Sequence, residues 1–327
     1  MNNRNKVLQL RNKIYESLGT LVTTDFVYLD TPHHFNCGDT LIWEGTLEFI
    51  RNIDHACRYI ANANSFTAEK AINWCSRHQG ASTILLHGGG NFGDLWPLHQ
   101  KFRNEVITKC TDIPIIILPQ TIYYQNRETL IRDAELYKGK DNITICVRDN
   151  VSLEIAREFF PDCNPILVPD MAFCINLKRS DIPVPSQENL FVKRTDKEIS
   201  TSVHYDSVPI DATVSDWPTM APTHPLQHYH PSLLDWCTRV DCRLGTKLSN
   251  RLNNYYWNMN IRKRIVEEAI SFIGDYRSIY TTRMHAAILS VLLDRSKTVL
   301  FDNSYGKSSS FADAWFSDLD NFELCRQ

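Results

Sequence analysis

Thr282-Arg-Met-His285 sets a guanidinium and an imidazole two residues apart, between the apolar end of Ser278-Ile-Tyr280 and the apolar run to Leu293. The first run reads as the end of a buried strand. Met284 to Leu293 reads as a helix packed on that sheet, closed by Asp294. Arg283 and His285 therefore stand at a strand-to-helix switch, where a helix start offers unsatisfied N–H groups and positive partial charge. Thr281 and Thr282 are capping candidates beside them. Such a group suits a phosphate or a carboxylate, which a guanidinium binds through two parallel hydrogen bonds. Histidine is the side chain suited to general acid work near neutral pH, and His285 is the expected general acid.

A second group lies in the first half. His87-Gly-Gly-Gly-Asn-Phe-Gly-Asp94 follows the β-rich Ser82-Thr-Ile-Leu-Leu86, and Asn36-Cys-Gly-Asp39 precedes another helix. Consecutive glycines after a strand let backbone come close to a ligand. Neither the dinucleotide fingerprint nor a Walker loop is present, so nucleotide binding is unsupported. Asp39, Asp94, Gln120, Arg148 and Asp170 each fall at a predicted strand end. Parallel strands all end on one side, so these residues are expected to line one cleft. Asp39 or Asp94 is the expected proton acceptor. His224, His228 and His230 lack matching cysteine or acidic ligands, and no metal is expected.

The elements that must position these groups alternate along the chain. A helix over 6–18 leads to a strand at 26–30 and a helix after Asp39. A strand at 55–60, a helix at 67–79, a helix at 97–110 and strands at 113–118, 143–147 and 165–168 follow, with a helix at 151–160. Residues 179–189 read as a linker between an N-terminal domain (1–178) and a C-terminal domain (190–327). The second opens with the strand 190–192, which ends at Lys193 and Arg194. Residues 207–232 read as irregular, 260–273 as a helix, 297–301 as a strand. Lys307 and Ser308 begin a last helix, expected to pack back on the N-terminal domain.

Composition narrows the classes. A net charge of -3 gives no global attraction to nucleic acid. Ten scattered cysteines without paired C-x-x-C spacing read as reduced core thiols, which points to the cytoplasm. No apolar run is long enough to target or span a membrane. Between Arg239 and Arg264 seven basic residues and Tyr255, Tyr256 and Trp257 form a stretch expected to meet the inner membrane face peripherally.

Asn36-Cys-Gly-Asp39, His87 to Asp94, Arg148-Asp149, Pro169-Asp170, Thr282-Arg-Met-His285 and Tyr305-Gly-Lys307 occur in an order that resembles the polysaccharide pyruvyl transferase family. The resemblance implies an α/β fold of two facing Rossmann-like domains, similar to GT-B glycosyltransferases, with a cleft between them. It also implies phosphoenolpyruvate as co-substrate, without another cofactor. The acceptor would be a sugar or a lipid-linked oligosaccharide that receives a pyruvate ketal during surface polysaccharide biosynthesis. Family members place the donor on second-domain Arg and Arg-x-His groups, here Arg283 and, by position, Arg194. Lys307 and Ser308 join the donor side. Asn36, Gly89, Gly90, Asn91 and Arg148 are then expected on the acceptor side. Two alternatives stand: a nucleotide-sugar-dependent glycosyltransferase of the same architecture, and a non-catalytic polysaccharide assembly subunit.

Overall fold

The computed structural model describes residues 1–62, 83–195, 205–218, 261–302 and 306–326, with single positions between 233 and 260. The helix expected at 67–79, the three histidines of 224–230 and most of the basic aromatic stretch lie outside them.

The described chain is mixed α/β, built on two sheets whose paired strands are all parallel. Strands β1 (Phe26–Leu29), β2 (Cys57–Ala61), β3 (Thr83–Leu86), β5 (Ile115–Tyr123), β6 (Ile143–Val147) and β7 (Asn164–Leu167) pair in the order β2-β1-β3-β5-β6-β7, and β4 (Gly89–Gly93) adds to β5. The second sheet runs β12-β11-β10-β8-β9, from β8 (Gln187–Val192), β9 (Thr213–Ser215), β10 (Tyr276–Thr281), β11 (Lys297–Phe301) and β12 (Phe322–Cys325). Eight helices among the described residues connect or flank them: α1 (Asn3–Gly19), α2 (Cys37–Arg51), α3 (Pro97–Lys109), α4 (Arg127–Glu135), α5 (Asn150–Phe159), α6 (Arg262–Gly274), α7 (Met284–Leu292) and α8 (Lys307–Trp315).

Period-two alternation explains how the sheets pack. Val27, Leu29, Ile84 and Leu86 turn to one face of the first sheet, while Tyr28 and Leu85 turn to the other. That second face shares one apolar cluster with α2, α6, α7 and with Leu190, Val192 and Ile279 of the second sheet. The helices thus fill the space between the sheets. α7 is buried along almost its whole length from Met284 to Leu292, as a helix apolar on every side must be. α8 reaches back to the first sheet's side: the Ser310 hydroxyl accepts from the Val151 amide at 3.1 Å, and Trp315 Nε1 donates to the Arg148 carbonyl at 2.7 Å.

Several expectations need correction. The glycine-rich stretch after β3 is not a free loop, because Gly89–Gly93 pairs with β5. The second sheet begins at Gln187, inside the stretch read as linker, because β8 pairs with β10 from Tyr276 onward. Residues 213–215, read as irregular, form an edge strand on β8. α4 and β12 were not anticipated. The basic stretch is not a uniform exposed surface. Arg262 is 2% exposed, paired with Glu44, and lies over the Trp43 ring. Burial lowers its pKa to about 10. Trp257 is 6% exposed, between His33 and Phe35. Neither residue can meet a lipid surface. No helix among the described residues is long and apolar enough to cross a membrane.

α2 is held close to the turn Met171–Cys174 by Gly45, where an added Cβ would sit 1.9 Å from the Met171 carbonyl oxygen. Alanine is the better helix former by about 1 kcal/mol. Gly45→Ala is nonetheless expected to destabilise by about 1–3 kcal/mol or more, since backbone must move to admit the methyl group. Chemical denaturation of the two proteins checks the sign.

Candidate active site

In each sheet the strand order reverses at one point, and parallel sheets bind ligands beyond the carboxyl ends of the strands at that crevice. The first sheet reverses between β1 and β3, the second between β8 and β10. Asp30 and the loop to α2 leave β1, and His87 leaves β3. Lys193 and Arg194 leave β8, and Thr282 and Arg283 leave β10. Both crevices open on one cavity of about 450 Å³.

Its wall joins His34, Asn36, Gly38, Asp39, Gly90 and Asn91 with Trp96, His99 and Arg148 on the first sheet's side. From the second come Arg194, Trp217, Thr282, Arg283, Met284 and His285, and Ser308 comes from α8. Nine of the expected site residues are therefore brought together: Asn36, Asp39, Gly90, Asn91, Arg148, Arg194, Arg283, His285 and Ser308.

Hydroxyls tie the two arginine-bearing strand ends to one another. Thr282 Oγ1 accepts from the Arg194 amide at 2.9 Å, and Thr281 Oγ1 accepts from the Arg283 amide at 2.8 Å. Arg283 itself lies against Asp216, at the end of β9. Its Nε and Nη2 donate to the two carboxylate oxygens, the latter at 2.6 Å. Asp216 also accepts from the Thr195 amide and hydroxyl at 3.0 and 2.8 Å. Burial alone would raise its pKa, but the Arg283 hydrogen bonds hold the carboxyl below its ordinary range.

His285 sits in the first turn of α7, where it meets both sheets. Its Nε2 is buried, 3.5 Å from Asp170 Oδ2. Asp170 in turn receives Arg148 Nη1 at 2.5 Å, and Arg148 Nε donates to Thr121 Oγ1 at 3.0 Å. Both members of the Arg148–Asp170 pair are nearly inaccessible. Burial works against the carboxylate, yet the Arg148 charge and His285 outweigh it and hold Asp170 far below its ordinary range. On the opposite side of the ring, a Cβ at Gly38 would lie 2.5 Å from His285 Nδ1. Only glycine at the start of α2 leaves room for this imidazole.

Asp39 stands in the first turn of α2, capped by Asn36, whose Oδ1 accepts from the Gly38 and Asp39 amides. Burial would raise Asp39, but the histidines around it, His34 at 3.7 Å and His285, His87 and His99 beyond, lower its pKa. His87 is fully enclosed, and burial depresses it to about 4. The ring is therefore neutral near pH 7, with its Nδ1 against the Tyr28 hydroxyl.

Other expectations fare differently. Asp94 is absent from the cavity wall: its two oxygens accept from the Gln125 and Asn126 amides at 2.8 and 2.9 Å, closing the turn after β5. It is a turn-holding residue, and the strand-end logic that chose it did not weigh nearby backbone donors. Asn36 serves as the α2 cap. Arg148 reaches the wall, but its guanidinium is committed to Asp170 and Thr121, not to an acceptor. Asn91 is fixed by Arg103 and Gln120, which donate to its Oδ1 at 2.5 and 2.9 Å. Gly89 lies outside the wall, behind Asp39. The start of α8 already holds an acid, because Asp302 Oδ1 accepts from the Ser309 amide at 3.0 Å. The Lys307 side chain lies outside the described residues. Asp170, expected to line the cleft, stands behind its wall and backs His285. Asp216, His34 and His99 are not among the expected site residues; Asp216 follows β9, a short strand that the sequence pattern does not reveal. No group of three His, Cys, Asp or Glu among the described residues is arranged to hold a metal ion.

With this geometry in place, comparison with known proteins is decisive at the family level. The model of the polysaccharide pyruvyl transferase family matches residues 36–296. The chain belongs to that family. The match spans both crevices, from Asn36 to the Arg283–His285 pair and beyond. EpsO of Bacillus subtilis (strain 168), a pyruvyl transferase candidate by name, is 30% identical over 99% of this chain and 96% of its own length. Pyruvyl transferase 1 of Schizosaccharomyces pombe is 26% identical over 87% of this chain and 68% of that protein. A functionally uncharacterised protein from Klebsiella pneumoniae subsp. pneumoniae has a crystal structure that superposes with a TM-score of 0.61. It is 18% identical and covers 96% of this chain and 98% of that one, a likeness of fold alone.

Asp170 holds both Arg148 and His285, which makes its removal informative. Asp170→Asn strands the buried Arg148 charge and is expected to cost about 3–5 kcal/mol. Because the folded carboxyl lies below the unfolded value of about 3.9, its stabilisation is whole above that value and is lost as pH falls below it. Urea midpoints between about pH 5 and 2 should therefore fall steeply for the wild type and less steeply for the variant.

Proposed function

We propose that this cavity carries out pyruvyl transfer from phosphoenolpyruvate to two hydroxyls of a sugar, giving a cyclic pyruvate ketal and phosphate in surface polysaccharide biosynthesis. One observation carries the reading. Two arginines, a helix start and a carboxylate-backed imidazole at the second sheet's crevice face Asp39 across a single cavity. Family membership supports the transferase class. Helices packed between two parallel sheets support the GT-B-like comparison.

Phosphoenolpyruvate carries a phosphate and a carboxylate, and Arg194, Arg283 and the first amides of α7 match such a ligand in charge and donor geometry. Ser308 adds a hydroxyl at the same side. His285, held by Asp170, delivers a proton to the methylene carbon. Asp39 is held ionised and accepts a hydrogen bond from an acceptor hydroxyl, placing its oxygen for attack at C2. Trp96, with Asn91 and the backbone of Gly90, offers the apolar face and polar edge on which a sugar ring rests. No step in this scheme calls on a metal or a further cofactor.

Phosphoenolpyruvate is expected to raise the melting temperature, by an amount equivalent to about 2.7 kcal/mol at a hundredfold excess over Kd. Arg283→Lys keeps the charge, loses the planar fork, and should lose that shift. His285→Gln should keep the shift while phosphate release with a sugar acceptor drops about 100- to 10,000-fold. Stabilisation by a nucleoside diphosphate and not by phosphoenolpyruvate would replace this reading with a nucleotide-sugar glycosyltransferase.

A further inference from the structure

Ketal formation moves two hydroxyl protons, and the His285–Asp170 pair supplies one carrier. A second imidazole–carboxylate pair stands on the opposite wall. His99, the third residue of α3, lines the cavity, and its Nδ1 lies 2.7 Å from Asp30 Oδ1. Asp30 is 2% exposed and leaves β1 with φ of 65°. That left-handed conformation is strained for a non-glycine residue and tends to be retained at functional sites. Here it occurs at the reversal point of the first sheet. With Nδ1 committed to the carboxylate, Nε2 is the ring nitrogen left for proton transfer, the arrangement in which an acid orients a histidine base.

The surroundings of His99 favour this use. Burial opposes the protonated ring, but the Asp30 hydrogen bond and charge outweigh burial and raise the pKa above its ordinary value. Arg103 on the same helix opposes protonation, and Asp39 on α2 favours it. His34, in the loop before α2, meets the ring edge-on with centroids 6.3 Å apart, and His87 follows β3. Asp39 is the weaker base of the two, because its carboxyl is held below the ordinary range.

We propose that His99, oriented by Asp30, is the second proton carrier of the cavity and takes the proton of the attacking acceptor hydroxyl. The assignment rests on the pyruvyl transfer reading. In the first step the hydroxyl oxygen bonds to C2, its proton passes to His99, and His285 gives a proton to C3, so the methylene becomes a methyl group. In the second step the other hydroxyl oxygen bonds to C2 as the C2–O bond to phosphate breaks. His99 returns its proton to the departing phosphate, and His285 recovers one from the second hydroxyl. Two hydroxyl protons are consumed, one on carbon and one on phosphate, and both histidines end as they began.

The test uses the full chain with phosphoenolpyruvate and a panel of p-nitrophenyl hexopyranosides that carry 1,2- or 1,3-diols. Phosphate release and ketal methyl signals are followed for wild type, His99→Gln and Asp30→Asn. Asparagine tolerates the left-handed backbone, so Asp30→Asn tests the charge and not the turn. His99→Gln should lose about 100-fold or more in kcat while phosphoenolpyruvate still raises its melting temperature. Activity of the wild type falls on the acid side as His99 takes up a proton. Without the Asp30 charge that limb should move to lower pH, with a smaller loss in kcat. Turnover of His99→Gln within twofold of wild type, or an acid limb unmoved in Asp30→Asn, overturns the assignment and leaves pyruvyl transfer standing. Loss of the phosphoenolpyruvate shift in His99→Gln makes the residue a donor contact and likewise overturns it. No phosphate release by the wild type with any sugar overturns the pyruvyl transfer reading, and the second carrier with it.

Discussion

The buried pair of Arg148 and Asp170 is the interaction on which the site depends. Two full charges are enclosed there, and each would be costly without the other. Arg148 follows β6, Asp170 follows β7, and the imidazole they support belongs to α7 of the second sheet. The pair therefore joins neighbouring strands of one sheet to a helix of the other. Trp315 on α8 adds a hydrogen bond to the Arg148 carbonyl, so a third element registers on the same point. A shift between the sheets would draw His285 away from Asp170 and open the buried pair to solvent, and this opposes such a shift.

Around that fixed point the cavity divides its labour by chemistry. The second sheet's side offers cationic groups and helix amides, which suit an anion. The first sheet's side offers carboxylates set among histidines, which suit hydroxyls and moving protons. Burial keeps His87 neutral, while Asp30 draws His99 the other way. Similar imidazoles within one site thus acquire different protonation behaviour from their neighbours alone.

Much of this is legible in the sequence. The switch at Thr281 to His285 stands out because a buried strand and an all-apolar helix flank it, and no other element type satisfies both runs. The parallel-strand rule then draws Asp39 and Arg148 to one edge, and both reach the cavity wall. It failed where local polarity hid an element. β9 is three residues long and mostly exposed, so Asp216 was unassigned to any strand end. β4 is glycine-rich, with no side-chain alternation to betray its pairing. The Asp30–His99 contact spans 69 positions of sequence, and nothing in either local pattern announces a partner at that distance. Asp94 shows the converse: an acid at a strand end, it lies off the cavity with its oxygens accepting from the Gln125 and Asn126 amides.

Asp216 has a consequence for how affinity is to be understood. It presents to Arg283 the same two-oxygen face that an incoming carboxylate or phosphate would present. An arriving anion therefore exchanges with, or shares, a resident one, and its observed binding energy is a difference between two similar contacts. Such a site is never a bare cation waiting in solvent, so indiscriminate capture of small anions is muted. Ligands that engage several groups of the cavity at once gain the advantage over those that offer a single negative charge.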